Sequence, residues 1–232
     1  MTTVADRLAI VRERIRAACE RSGRDPSGVT LVAVAKTFSA DAVLEALDAG
    51  ATDIGENRAQ ELREKAAVIG RAVRWHFVGP LQTNKVRHVV GVAALIHSVD
   101  RFGMAEAIAR RARALDTTQD VLIEVNLAGE GSKTGIEPAR AGPLAEEVAA
   151  LDGVCVRGVM AIPPLTDDAE GARPYLHALA SLGAEVAARI PGASEVSMGM
   201  TRDLEVAVEE GSTMVRVGEA IFGPRNALRR TR

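Results

Sequence analysis

Eight short apolar runs, most of them followed by a stretch with helical spacing, organise this chain of 232 residues. The first is VTLVAVA (29–35), a continuous, β-branched run of the kind found in parallel strands buried on both faces. The others are ATDI (51–54), RWHFV (74–78), AALIH (93–97), DVLIEV (120–125), VCVRGVM (154–160), SEVS (194–197) and TMVRV (213–217). Helical patterns lie between them at 57–69, 82–90, 102–115, 138–150, 169–189 and 202–210. Another runs from a Ser39 cap to about Ala49 and ends at Gly50. Strands alternating with helices imply right-handed crossovers and a parallel sheet. Eight such units in this length favour closure, so the predicted fold is α/β, a (β/α)8 TIM-type barrel. An extra N-terminal helix is expected over 2–22, where Val4, Leu8, Val11 and Ile15 share one side. No long linker or low-complexity segment interrupts the alternation. The chain is therefore expected to be a single domain over 1–232, with its barrel core at about 29–225.

Composition narrows the function. A formal charge of −2 gives no electrostatic footprint for nucleic acid or membrane. Cys19 and Cys155 lie far apart, in no metal spacing and no disulfide framework, which suits a reducing cytoplasm. The start MTTVADRLAI has no signal-type apolar core, and no run is long enough to span a bilayer. Only four of the 29 lysines and arginines are lysines, namely Lys36, Lys65, Lys85 and Lys133. A lysine in an apolar setting is thus not there through abundance.

In a barrel of this class the chemistry lies just after the strands, with phosphate groups held after strands 7 and 8. Lys36 follows strand 1, GEN (55–57) strand 2, GPLQTNK (79–85) strand 3 and NLAGEGSKTG (126–135) strand 5. AIPP (161–164), SMGMTRD (197–203) and VGEAIFG (217–223) follow strands 6, 7 and 8. Desolvation at such a rim would lower the pKa of the Lys36 amine and make it a nucleophile toward carbonyls. Two plainer roles also suit it, snorkelling to the barrel mouth or pairing with Glu56. In TMVRVG, Arg216 has the opposite parity to Val215 and Val217, so valines facing the helices would turn Arg216 into the barrel. Gly199 and Gly218 sit in turns suited to a phosphate, with Ser197 and Thr201 as hydroxyl donors. The plainer account is ordinary turn chemistry with a structural Arg–carboxylate pair. A Schiff-base lysine, a phosphate cradle and an arginine between them describe a pyridoxal 5′-phosphate site. Arginine beside the pyridine nitrogen would leave that nitrogen unprotonated and weaken the ring as an electron sink.

The segments LVAVAK (31–36), IGENRAQE (54–61), WHFVGPLQTNKVR (75–87), IHSVD (96–100), GVMAIPP (158–164) and SMGMTRDLEVAVEEGSTMVRVGEAIFGPR (197–225) together resemble the pyridoxal phosphate homeostasis protein family. That family is similar to the N-terminal barrel of alanine racemase, and the resemblance runs from about residue 5 to 225. It implies that Lys36 carries the cofactor as an aldimine and that Arg216 faces the pyridine nitrogen. It further implies that Ser197, Gly199, Thr201 and Gly218 hold the phosphate and that Asn57 and His76 line the cofactor. Arg58 departs from the pattern, since many members carry an aromatic residue after G-E-N.

Other features point away from further chemistry. His88, His97 and His177 have no metal-ligand spacing, and no metal is expected. GEGSKTG (129–135) has Ser132 where a Walker motif needs glycine before the lysine, which excludes a nucleotide loop. Lys85 and Arg87 suit a solvated helix start, and NALRRTR a basic tail.

Two functions use this site. One is a carrier that stores or delivers pyridoxal phosphate, with transient contacts to apoenzymes. The other is an amino-acid racemase, which needs a base on each face of the substrate carbon. Alanine racemases draw the second base, a tyrosine, from another domain. The only tyrosine here, Tyr175, falls within a helical stretch where packing is its ordinary role, and His76 would have to substitute. No residue is assigned a catalytic role, and a cytoplasmic, monomeric carrier with little turnover is expected. A Schiff-base aldolase would account less economically for the phosphate cradle and inward arginine.

Overall fold

The computed structural model describes residues 2–70, 73–129 and 134–224. Lys133, most of the 129–135 loop and the basic tail lie outside the described residues. Strands β1 (Thr30–Val34), β2 (Asp53–Glu56), β3 (Arg74–Phe77), β4 (Leu95–Val99), β5 (Gln119–Val125), β6 (Val154–Ala161), β7 (Glu195–Ser197) and β8 (Met214–Val217) form a closed parallel barrel in chain order. β1 closes on β8 through Thr30↔Met214 and Val32↔Arg216. The helices are α1 (Val4–Ser22), α2 (Ala40–Asp48), α3 (Ala59–Ile69), α4 (Val86–Val89), α5 (Phe102–Arg113), α6 (Pro138–Ala149), α7 (Arg173–Arg189), α8 (Leu204–Glu209) and α9 (Glu219–Phe222).

The expected TIM-type barrel and N-terminal helix are present, with local differences. α1 starts at a Thr3–Asp6 capping box. It packs on α8 and α9, where Arg14 pairs with Glu205 at 2.6 Å and Arg7 Nε donates to Ile221 O at 2.6 Å. Ser39 caps α2 by accepting from Ala42 N. β2 runs two residues later than ATDI, with Gly55 paired to Val34 of β1 and Glu56 to Phe77 of β3. The stretch 82–90 is only a 3-10 turn (Thr83–Lys85) and the single turn of α4.

Strand parity divides the core. Ile54, Trp75, Phe77, Ile96, Ile123, Val215 and Val217 face the helices in one large apolar cluster. Val32, Val34, Leu95, Leu122, Met160 and Met214 form a second cluster inside the barrel. The inward positions between them carry Asp53, His76, His97, Glu124, Ser197 and Arg216, all buried. An apolar outer layer and a partly polar inner one follow directly from the two-residue period of each strand.

Candidate functional site

At the C-terminal end of the barrel is a cavity of about 530 Å³, lined among others by Lys36, Asn57, Thr201, Arg216 and Gly218. Lys36 is half-buried in the turn after β1. That turn is tightly held. Thr37 has φ 70°, a left-handed conformation unusual for a β-branched residue. Its N–H donates to Glu61 Oε2 at 3.0 Å, and Phe38 N donates to Ala35 O at 3.1 Å. Lys65, 8% exposed, reaches across from α3 and donates to Ala35 O at 2.9 Å. It also hydrogen-bonds Glu56, whose carboxylate is therefore engaged by Lys65. Burial pushes the Glu56 carboxyl up, with the Lys65 hydrogen bond and charge opposing that rise. A buried lysine thus ties the turns after β1 and β2 together behind the cavity.

Asn57, next to Glu56, brings a buried Oδ1 to this rim without a hydrogen-bond partner. Gly79 makes that position reachable, because a Cβ there would lie 2.3 Å from Asn57 O. Arg58 is exposed and pairs with Glu61 at 3.4 Å. On the far side Gly199 has φ 92°, and a Cβ there would lie 2.5 Å from the Cβ of Ala207. Thr201 Oγ1 accepts from Ala220 N at 3.4 Å, joining the turn after β7 to α9.

Arg216 points inward and is 5% exposed. Nη1 donates to Ser197 Oγ at 2.6 Å and Nη2 to Ala161 O at 2.9 Å. Burial lowers its pKa to about 10, with Asp203 and Glu124 acting the other way, so it stays cationic at neutral pH. Glu124 is itself pushed up by burial while accepting from Thr134 Oγ1 at 2.5 Å.

Three of the expected site residues do not line the cavity. Ser197 is fully buried beneath Arg216, and its hydroxyl bonds Arg216 and His97. His76 lies in the barrel interior between Asp53 and His97. Gly199 shapes its turn without lining the cavity. Tyr175, in the first turn of α7, does not line it either. His97 and Lys65 lie beside the site although the motifs do not point to them. The parity of LIHSV, with Leu95 inward and Ile96 outward, was the available signal for His97. No sequence signal singles out Lys65, a lysine on an amphipathic helix.

Residues 7–226 match the family model "Alanine racemase, N-terminal domain". Over 222 residues the chain is 43% identical to the pyridoxal phosphate homeostasis protein of Aquifex aeolicus, covering 95% of this chain and 97% of that one. The chain belongs to the pyridoxal phosphate homeostasis protein family. The family protein of Escherichia coli is 40% identical over 232 residues, 97% of this chain and 98% of that one. PipY of Synechococcus elongatus, solved with PLP bound, superposes with a TM-score of 0.79 at 35% identity, over 92% of this chain and all of that one. Alanine racemase of Clostridium difficile shares the barrel fold at 13% identity and a TM-score of 0.73, over 93% of this chain and 59% of that one. In this family member the half-buried Lys36 and the inward Arg216 meet one cavity, with Lys65 as the buried brace behind it.

Proposed function

We propose that this chain binds pyridoxal 5′-phosphate in the cavity above the barrel and holds it as a Schiff base on Lys36. Its role is intracellular cofactor homeostasis and delivery, with little or no turnover. The observation that carries this reading is that Lys36 and Arg216 line the same cavity, together with Asn57, Thr201 and Gly218. The pocket suits the group chemically. Asn57 Oδ1 is a buried acceptor that a ring hydroxyl would satisfy, and leaving it bare would cost on the order of 1–3 kcal/mol. Thr201 and the backbone at Gly218, which line the cavity after β7 and β8, would hold the phosphate, with Gly199 shaping the adjoining turn.

When bound, the cofactor supplies an aldehyde and an electron-accepting ring. Lys36, at the cavity wall, would hold that aldehyde as a Schiff base, with release of water. Arg216, a donor only, can hydrogen-bond an unprotonated ring nitrogen but cannot pair with a protonated one. The ring is then a weak electron sink. Among the described residues neither Tyr175 nor His76 lines the cavity, so neither stands ready as the second base that racemisation needs.

The whole chain acts in this proposal as one cytoplasmic, monomeric domain that meets recipient apoenzymes transiently. The test is visible absorption with added pyridoxal phosphate, for the native chain and Lys36→Ala, alongside racemase assays on amino acids. An imine band that Lys36→Ala abolishes, without turnover, is the expected result. Turnover would support a racemase. No band at saturating cofactor would overturn the proposal.

A further inference from the structure

Beneath the cavity, an unbroken file of buried polar groups crosses the barrel interior. Asp53 Oδ1 lies 2.9 Å from His76 Nε2, and His76 Nδ1 lies 3.0 Å from His97 Nε2. His97 Nδ1 lies 3.0 Å from Ser197 Oγ, which Arg216 Nη1 contacts at 2.6 Å. Each of these five residues is at most 5% exposed. The two ends belong to different openings. Arg216 lines the cavity above the strands, whereas Asp53 lines a second cavity of about 330 Å³ with Thr30, Thr52 and Arg12, where β1 and β2 begin.

We infer that Asp53, His76, His97 and Ser197 are positioning residues for Arg216, joined in one directional hydrogen-bond chain whose imidazoles are both neutral and protonated on Nε2. The direction follows from the ends. A guanidinium has no acceptor, so Arg216 must donate to Ser197 Oγ. Asp53 is an acceptor when ionised. Arg74 pairs with it at 3.0 Å and Thr52 Oγ1 donates to its Oδ2 at 2.7 Å, which favours the ionised form. His76 therefore donates from Nε2. Its Nδ1 then accepts from His97 Nε2, and His97 Nδ1 accepts the Ser197 hydroxyl hydrogen. Every donor finds an acceptor, and each hydrogen points from Arg216 toward Asp53.

The reverse order would require an imidazolium at His76 and would send the Ser197 hydrogen elsewhere. Complete burial between two other donors opposes a charged imidazole at His97. His76 faces Asp53 of β2, itself 3.0 Å from Arg74, and His97 of β4. His97 faces His76 and Arg216, and its complete burial together with those neighbours lowers its pKa well below the usual imidazole value. Arg216 faces Glu124 of β5 and Asp203 after β7. A polar file in place of apolar packing is costly unless every member is satisfied. Here its consequence is to hold the guanidinium plane, through Ser197 on one side and Ala161 O on the other, toward the cavity. The carboxylate of Asp53 thereby acts on the cofactor site from the opposite end of the barrel.

The hydrogen-bond order is independent of the cofactor, but its effect at the ring rests on the pyridoxal phosphate reading. Long-range nitrogen–proton NMR on cofactor-free protein at neutral pH reads the order directly. His76 and His97 are each expected to carry a single ring hydrogen, on Nε2. An Nδ1 hydrogen or an imidazolium at either position would overturn the inference. Asp53→Asn keeps the volume and removes the charge. It is expected to retain pyridoxal phosphate about tenfold less tightly, the effect of one weakened charge-assisted bond, at unchanged circular dichroism. Asp53→Glu should recover most of the loss. Retention unchanged in Asp53→Asn would overturn the positioning role. Absence of any cofactor band in the native chain would instead fail the cofactor reading, and the NMR result would still decide the chain.

Discussion

At the scale of single residues, Lys65 has the clearest energetic consequence. Its ammonium is the counter-charge of Glu56, which is fully buried, and it also anchors Ala35 O beside Lys36. Removing one member of a buried pair strands the other, which costs about 3–5 kcal/mol. Lys65→Met should therefore lower the melting temperature by roughly 10 °C for a chain of this size. Calorimetry checks it, and a shift of only a degree or two would mean that Glu56 finds another partner or a proton at little cost. The same change loosens the turn in which Thr37 holds its left-handed conformation, so pyridoxal phosphate binding should weaken. The bidentate Arg14–Glu205 pair is about one-third exposed and solvent-screened, and it should contribute at most about 1 kcal/mol.

At the scale of elements, the site is made by turns that follow strands, and backbone clearance governs two of them. Gly199 has φ 92°, and a methyl group there would collide with Ala207 of α8 at 2.5 Å. Gly199→Ala should cost on the order of 1–3 kcal/mol by forcing the turn between β7 and α8 to shift. Because Thr201 lies two residues on, pyridoxal phosphate retention should fall together with thermal stability. A variant that loses stability yet keeps the cofactor as tightly would separate the turn from the site. Gly79→Ala meets backbone even closer, at Asn57 O, and should displace the orphaned Asn57 amide from the cavity rim. Circular dichroism melting and absorbance titration read the two effects separately.

At the scale of the whole molecule, charge pairs on the helical layer set the response to acid. Hydrogen bonds from Arg14 to Glu205, and from Arg173 to Glu209 and Glu210, hold these carboxyls below their usual pKa. Asp53 is also lowered, since the His76 and Thr52 hydrogen bonds and nearby charges outweigh its burial. For each, the unfolded chain takes up protons first as the pH falls. Their stabilisation is complete above the ordinary carboxylate value of about 4 and is lost as the pH drops through the lower folded values. Glu56 and Glu124, raised by burial, act in the opposite sense, because their folded forms bind protons sooner. The lowered group is the larger, so the denaturant midpoint should fall as the pH drops below about 4. Added salt should blunt the part due to the exposed pairs. A midpoint flat with pH would show that the two groups cancel, and one that rises as the pH drops would show that the buried carboxyls dominate.

The sequence by itself determined the barrel and the main line of its interior. Alternating parity needs no tertiary knowledge, and it put Arg216 inward and the valines beside it outward, as the two core clusters show. The position of Lys36 after β1, and of the turns bearing Asn57, Thr201 and Gly218, followed from the same count of strands. What only the tertiary structure decided is where inward residues lie across the barrel. Ser197 was expected at the phosphate, yet its hydroxyl lies under Arg216, and His76 packs against a histidine 21 residues away. Lys65 became a brace because α3 crosses behind the turn after β1, which helical periodicity alone cannot state. Parity depends on the chain's own two-residue repeat, whereas these contacts depend on strand register around a closed and staggered barrel. Register is fixed by the packing of all eight strands together, so no single stretch of sequence encodes it.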